Sequence, residues 1–162
     1  MAGNDQRLAG AADAPFTLTL TRLFDAPPAA LYRAWTDAGE LARWVGPPGV
    51  QAEILEMEAR VGGRYRIAMH RSDGSIVTVF GTYREMRPGE RLSFTWEWEK
   101  GAPSYQPSGG TLITITFRAQ GRQTEMSLHQ ERLATVEARD GHAHGWTGSF
   151  ERLITLLATS AS

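Results

Sequence analysis

Four histidines, His70, His129, His142 and His144, are the side chains of this sequence best suited to moving a proton near neutral pH, and no cysteine accompanies them. A zinc site would need three of them to converge. None of the spacing motifs that gather metal ligands is present, so no metal is expected. Acid–base chemistry needs less: one imidazole in an apolar cavity, its pKa lowered by desolvation, beside Glu125 or Glu131. Strand alternation puts Glu125, Ser127, His129 and Glu131 on one face and Met126, Leu128 and Gln130 on the other. The apolar set marks the inner face, so His129 is expected to look outward. No catalytic residue and no cofactor is assigned.

The aromatic side chains form a second constellation. Phe94, Trp96 and Trp98 share a strand face with Leu92, whereas Phe80 and Tyr83 take opposite faces of theirs. Trp35 and Trp44 fall in short helical segments, Met69 lies beside His70 near a strand end, and Trp146 and Phe150 lie on the apolar face of a terminal helix. Trp35, Trp44, Met69, Phe80, Phe94, Trp96, Trp98, Trp146 and Phe150 are therefore the candidate walls of a ligand cavity. Core filling is the competing reading, above all for Trp35 and Trp44, because large rings at element junctions ordinarily fill space.

Several elements must position these groups. Phe16, Leu18 and Leu20 alternate with Thr17, Thr19 and Thr21, the period of a half-buried strand. Pro27 and Pro28 stand where a helix begins, and Leu31, Ala34 and Trp35 give Ala29–Ala38 an apolar stripe. A second short helix is expected over Gly39–Trp44, ended by the Gly46-Pro47-Pro48-Gly49 run. Strand signals follow near Val50–Glu58, Arg64–His70, Ile76–Met86, Arg91–Glu97, Thr111–Arg118 and Gln123–Arg132, separated by glycine-containing turns too short for helical crossovers. The longer stretch Lys100–Gly110 reads as a mobile edge loop. Trp146, Phe150, Leu153 and Leu157 then advance by helical steps, with the helix starting near Asp140 or Thr147 and running about fifteen residues. Gly145 is expected to let helix and sheet approach closely. Such a meander buries the helix face by curving round it, and curvature leaves a hollow.

Bulk properties narrow the function classes. The 162 residues suit one domain, read as 15–158 between tails at 1–14 and 159–162. Seventeen basic residues against 18 acidic ones give a formal charge of −1. Arg60, Arg64, Arg66, Arg84, Arg87 and Arg91 are interleaved with Glu56, Glu58, Glu85 and Glu90, so no nucleic-acid stripe forms. Gly62-Gly63 lacks the strand–loop–helix setting of a nucleotide site. With no cysteine, no secretory leader and no long apolar run, a cytoplasmic protein without membrane insertion is expected.

The motifs Arg22–Pro27 (RLFDAP), Arg33–Pro47 (RAWTDAGELARWVGP), Val61–Arg66 (VGGRYR), Phe80–Glu85, Pro88–Glu99 (PGERLSFTWEWE), Thr111–Phe117 and Gly145–Leu153 (GWTGSFERL) occur in this order. The chain thereby resembles bacterial homologues of the C-terminal domain of the activator of heat-shock-protein-90 ATPase, within the START-like, birch-pollen-allergen-like superfamily. The resemblance implies an α+β helix-grip fold: a curved seven-stranded antiparallel sheet round a long C-terminal helix, with two short helices between the first two strands. It implies a cavity that in relatives binds hydrophobic ligands or performs cyclase-like chemistry. Val45 stands where the family often carries a second tryptophan, which leaves that corner less crowded.

Three functions follow as expectations. The first is binding of a small hydrophobic or aromatic molecule between sheet and helix. The second is a protein–protein module resembling a chaperone ATPase activator, with a protein partner or homodimer. The third is a cyclase- or hydrolase-like enzyme using a cavity histidine or carboxylate.

Overall fold

The alternating threonines place β1 at Phe16–Phe24, and the chain then enters α1 (Pro28–Thr36) with Pro28 at its first position, where a missing N–H costs nothing. Asp37 starts α2 (Ala38–Leu41) by accepting a hydrogen bond from the Glu40 amide at 2.9 Å. Six further strands follow: β2 (Gln51–Met57), β3 (Arg64–His70), β4 (Ile76–Arg87), β5 (Arg91–Trp98), β6 (Thr111–Gln120) and β7 (Gln123–Leu133). The last element is α3 (Val136–Ala161), a helix of 26 residues. The computed structural model describes residues 15–99 and 110–161. The expected N-terminal tail and nearly all of the Lys100–Gly110 loop lie outside the described residues.

The strands form one antiparallel sheet in the order β1-β7-β6-β5-β4-β3-β2. From β2 to β7 each strand pairs with its successor, and β1 closes against β7, with Leu20 opposite Leu128 and Thr19 opposite His129. Register shifts at Ile54/Glu56 and Tyr83/Glu85 bend the β2–β5 half, since a bulged strand coils more strongly than a regular one. Gly81 adds to the bend: a Cβ there would stand 2.0 Å from the Thr95 carbonyl oxygen of β5. That carbonyl also accepts the buried Tyr65 hydroxyl.

The concave face carries Tyr65, Ile67, Val79, Leu92, Phe94, Ile113, Ile115, Met126 and Leu128, all buried in one continuous core with Trp146, Phe150 and Leu153 of α3. This is the helix-grip arrangement, α+β in class, with both short helices between β1 and β2. No helix among the described residues is long and apolar enough to cross a membrane.

Two expected boundaries are corrected. α3 begins at Val136, a full ten residues before Trp146, because Thr135 caps it: its hydroxyl oxygen accepts the Ala138 amide at 3.0 Å. Gly141 and Gly145 lower helix propensity but do not break a helix held by packing. At the other end α3 runs to Ala161, into the stretch read as a tail.

Candidate ligand-binding site

The Gly-Pro-Pro-Gly run is where α3 is fastened. A Cβ on Gly148 would lie 2.6 Å from Pro48 Cδ, so only glycine lets the helix seat this closely on the loop. At the next residue, the Ser149 hydroxyl accepts the Gly46 amide at 2.9 Å and donates to the Gly145 carbonyl at 3.0 Å. Arg152 then reaches over the loop, its Nη1 donating to the carbonyls of Gly46 (2.9 Å) and Val50 (3.0 Å), with longer contacts to those of Val45 and Pro47. Partial burial pushes its guanidinium pKa downward. Close approach therefore comes from Gly148, not from Gly145 as the sequence suggested: nothing lies within 4 Å of a Cβ built on Gly145.

Fastened there, α3 spans a cleft of about 260 Å³ between its N-terminal half and strands β3–β5. One wall is Met69 and Val77 with Trp96 and Trp98; the loop contributes Val45, Pro47 and Val50. The helix wall is Ala138, Gly141, His142, Gly145, Trp146 and Ser149, small at most positions. Arg71 and Glu137 also line the cleft, and both are exposed. Neither Gly141 nor Gly145 has an atom within 4 Å of a built Cβ. Each interior glycine costs a helix about 1 kcal/mol relative to alanine. No close packing explains that cost here; what the glycines leave is volume.

The polar groups of the site are mostly committed. Trp98 Nε1 donates to His142 Nε2 at 3.1 Å, and His142 Nδ1 lies 2.7 Å from the Ala138 carbonyl. An indole N–H only donates and a carbonyl only accepts, so His142 is neutral with its proton on Nδ1. Burial lowers its pKa, in the same direction. Both imidazole nitrogens are thus engaged, and no lone pair is left to take a substrate proton while Trp98 stays in place. Deeper in, Trp146 Nε1 donates to Gln130 Oε1 (3.0 Å), Gln130 Nε2 to Thr111 Oγ1 (2.9 Å), and Thr111 Oγ1 to the Trp96 carbonyl (3.0 Å). One group stands outside this network: Trp96 Nε1 is buried and has no hydrogen-bond partner among the described residues. Leaving a buried donor unpaired costs about 1–3 kcal/mol.

The sequence-derived wall residues divide into four groups. Met69, Trp96, Trp98 and Trp146 line the cleft. Trp35 and Phe94 instead border, with Trp96, a separate void of about 20 Å³, and Trp44 and Phe150 are fully enclosed core. The Trp35 and Trp44 rings meet edge-on, centroids 4.7 Å apart, and Trp44 Nε1 donates to the Ala34 carbonyl at 3.0 Å. Phe80 is a correction: Val77 and Val79 of β4 face inward, so alternation turns Phe80 to the opposite face, away from the cleft.

The histidines do not converge. His70 pairs with Glu53 at 2.9 Å, and His129 meets the Thr19 hydroxyl at 2.9 Å on the outer face where the alternation had put it. His144 is exposed, and no group of metal-binding side chains forms among the described residues. Sequence reasoning missed Gln130, whose position on an apolar strand face was the available signal of a buried polar partner. It also missed Gly141 and His142 as cleft residues, because it left the start of α3 open between Asp140 and Thr147.

A curved antiparallel sheet gripping a terminal helix, with a cleft kept open beside that helix, defines a START-like protein. The chain belongs to the family described as Activator of Hsp90 ATPase homolog 1-like protein, whose profile matches residues 25–158. It is similar to protein CV1439 from Chromobacterium violaceum, with 33% identity over 88% of this chain and 96% of that one, at a TM-score of 0.79. The AHSA1 protein from Silicibacter pomeroyi shares 24% identity (90% and 99% covered, TM-score 0.77). A solution structure from Arthrobacter aurescens shares 23% (91% and 88%, TM-score 0.78). The last two support the fold alone. A search of individually curated proteins finds no match.

Proposed function

We propose that this protein binds a small hydrophobic or aromatic molecule in the cleft between α3 and strands β3–β5. The observation that carries this reading is the pairing of indole walls with helix glycines: Trp96, Trp98 and Trp146 face a space that Gly141 and Gly145 keep open at a cost to helix stability. Membership of a family that binds hydrophobic ligands supports it. The engaged nitrogens of His142 favour binding over acid–base catalysis. A protein–protein role would use the concave sheet surface or the Lys100–Gly110 stretch; the concave surface is largely buried against α3, and of the stretch only Gly110 is described.

The test is a titration with N-phenyl-1-naphthylamine, a neutral dye that brightens in apolar surroundings, read together with tryptophan emission. Saturable binding to the wild type is expected. Gly145→Leu would project its side chain into the cleft while improving helix propensity, so it should bind at least tenfold more weakly with an unchanged or higher Tm. Equal binding by this variant, still folded by circular dichroism, would refute the cleft as the site.

A further inference from the structure

Among the described residues, the sheet wall and the helix wall of the cleft are joined by one side-chain hydrogen bond. Trp98 stands on the β5 wall and His142 on the α3 wall, and the indole Nε1 donates to His142 Nε2 across 3.1 Å, with ring centroids 6.0 Å apart. No other hydrogen bond among the described residues ties residues 136–145 to the sheet: the Thr135 cap, the Arg139–Asp140 pair and the His142–Ala138 contact are local to the helix start. Arg139 adds a stacking contact to β1, its guanidinium 5.7 Å from the Phe16 ring centre. From Trp146 onward, by contrast, Gln130, the Gly46 amide and the carbonyls held by Arg152 fasten the helix with groups that do not titrate near neutral pH. The tie across the cleft is the one that a proton can undo.

That bond exists in a single protonation state. Nδ1 gives its proton to the Ala138 carbonyl at 2.7 Å, so Nε2 accepts from an indole only while it carries no proton of its own. A second proton leaves the ring with two donors and no acceptor, and it sets a cation in an apolar cleft. Few charged groups face that cation. β3 contributes Arg71, itself cationic, while β4, β5 and the loop after α2 present only apolar or indole side chains to the cleft. Glu137, on the same helix, is the one carboxylate lining the cleft among the described residues, and it is exposed. Glu97 takes the other face of β5, Glu99 is held by Arg66 and His70 by Glu53, and Asp140 and His144 are exposed on α3. Nothing on the Trp98 side compensates an imidazolium, so the charged ring leaves that wall. Burial holds the pKa of His142 below the ordinary 6.5, which keeps the bond made at neutral pH.

Resting on the cleft reading above, we propose that the Trp98–His142 bond is a proton-operated strap: it holds the two ligand-binding walls together at neutral pH and lets the ligand go when His142 takes up a proton. By linkage, a ligand that needs the neutral ring has its full affinity above the pKa of His142 in the free protein and loses it as pH falls through that value. The experiment titrates N-phenyl-1-naphthylamine, too weakly basic to protonate in this range, in steps from about pH 7.5 to about pH 5, with circular dichroism recording the fold at each step. The wild type should bind about tenfold more weakly at the acid end. In His142→Gln the side-chain amide oxygen accepts the Trp98 N–H at every pH, so the affinity should stay level. The wild type alone carries a second readout. In ¹H–¹⁵N spectra the Trp98 indole resonance, assigned by its loss in Trp98→Phe, should move upfield along the same pH curve as its hydrogen bond is lost. An equal decline in His142→Gln overturns the inference, as does a Trp98 resonance that stays still while binding falls. Dye that binds equally well at both ends of the range removes the strap alone; dye that binds at neither end removes the cleft reading as well.

Discussion

The two halves of α3 face the same sheet and do opposite things with it. From Trp146 onward the helix offers Phe150 and Leu153, which lock against Trp35, Trp44 and Phe24 with no space between; Phe24 and Phe150 meet edge-on at 5.9 Å and Trp44 and Phe150 lie at 6.4 Å. Before Trp146 it offers Ala138, Gly141 and Gly145, and the tryptophans across from them border open volume. The indoles are alike in both halves. What faces them decides whether a tryptophan is core or wall, because ring burial needs a partner surface of matching bulk.

This comparison breaks most sharply at its extremes. Trp44→Ala should cost about 3–5 kcal/mol in urea unfolding, since a fully enclosed ring leaves a cavity and an unpaired Ala34 carbonyl. Trp98→Ala, at a half-buried wall position, should cost well under half of that yet abolish dye binding. Equal stability losses for the two would erase the distinction between the halves.

A middle-sized effect should come from Arg152, which ties the α3 register to the loop after α2. Arg152→Met keeps the aliphatic stem but leaves the Gly46 and Val50 carbonyls without their donor. A loss of about 2–3 kcal/mol is expected, with weaker dye binding because Val45, Pro47 and Val50 form part of the cleft. A variant as stable as the wild type, with intact binding, would show that the helix needs no such fastening.

The smallest effect sharpens the open half alone. His142 is held neutral and its folded pKa lies below the ordinary 6.5. The unfolded chain therefore binds the extra proton first, so the contribution from His142 is complete above that ordinary value and is lost as pH falls through the folded one. Protonation also turns Nε2 into a donor, which expels the Trp98 N–H. Stability should decline from neutral toward mildly acid pH, and His142→Gln should flatten that decline. The same slope in both proteins would remove His142 from the account.

Much of the frame was legible in the chain. The period-two patterns located all seven strands, and the step from alternation to helical spacing after β7 announced the gripping helix. Positions that obey alternation fell where it put them, His129 outside and Trp96 and Trp98 inside. Phe80 was misplaced among the wall residues although the same alternation, counted from Val77, sends it outward. The start of α3 stayed open between Asp140 and Thr147, short of Val136, because its first ten residues carry glycines and few large apolar side chains. That weak helical signal arises because this half of the helix borders space instead of core.

By itself the sequence determined what depends on local period and turn chemistry: strands, helices, the stop at Gly46–Gly49, and the faces of each element. Only the tertiary structure decided which glycine seats the helix, which carbonyls Arg152 holds, which nitrogen of His142 carries the proton, and that Trp96 keeps an unused donor. These depend on partners up to about a hundred residues apart in the chain, such as Val50 with Arg152. A pattern along one strand or helix carries no information about the group that folding sets against it.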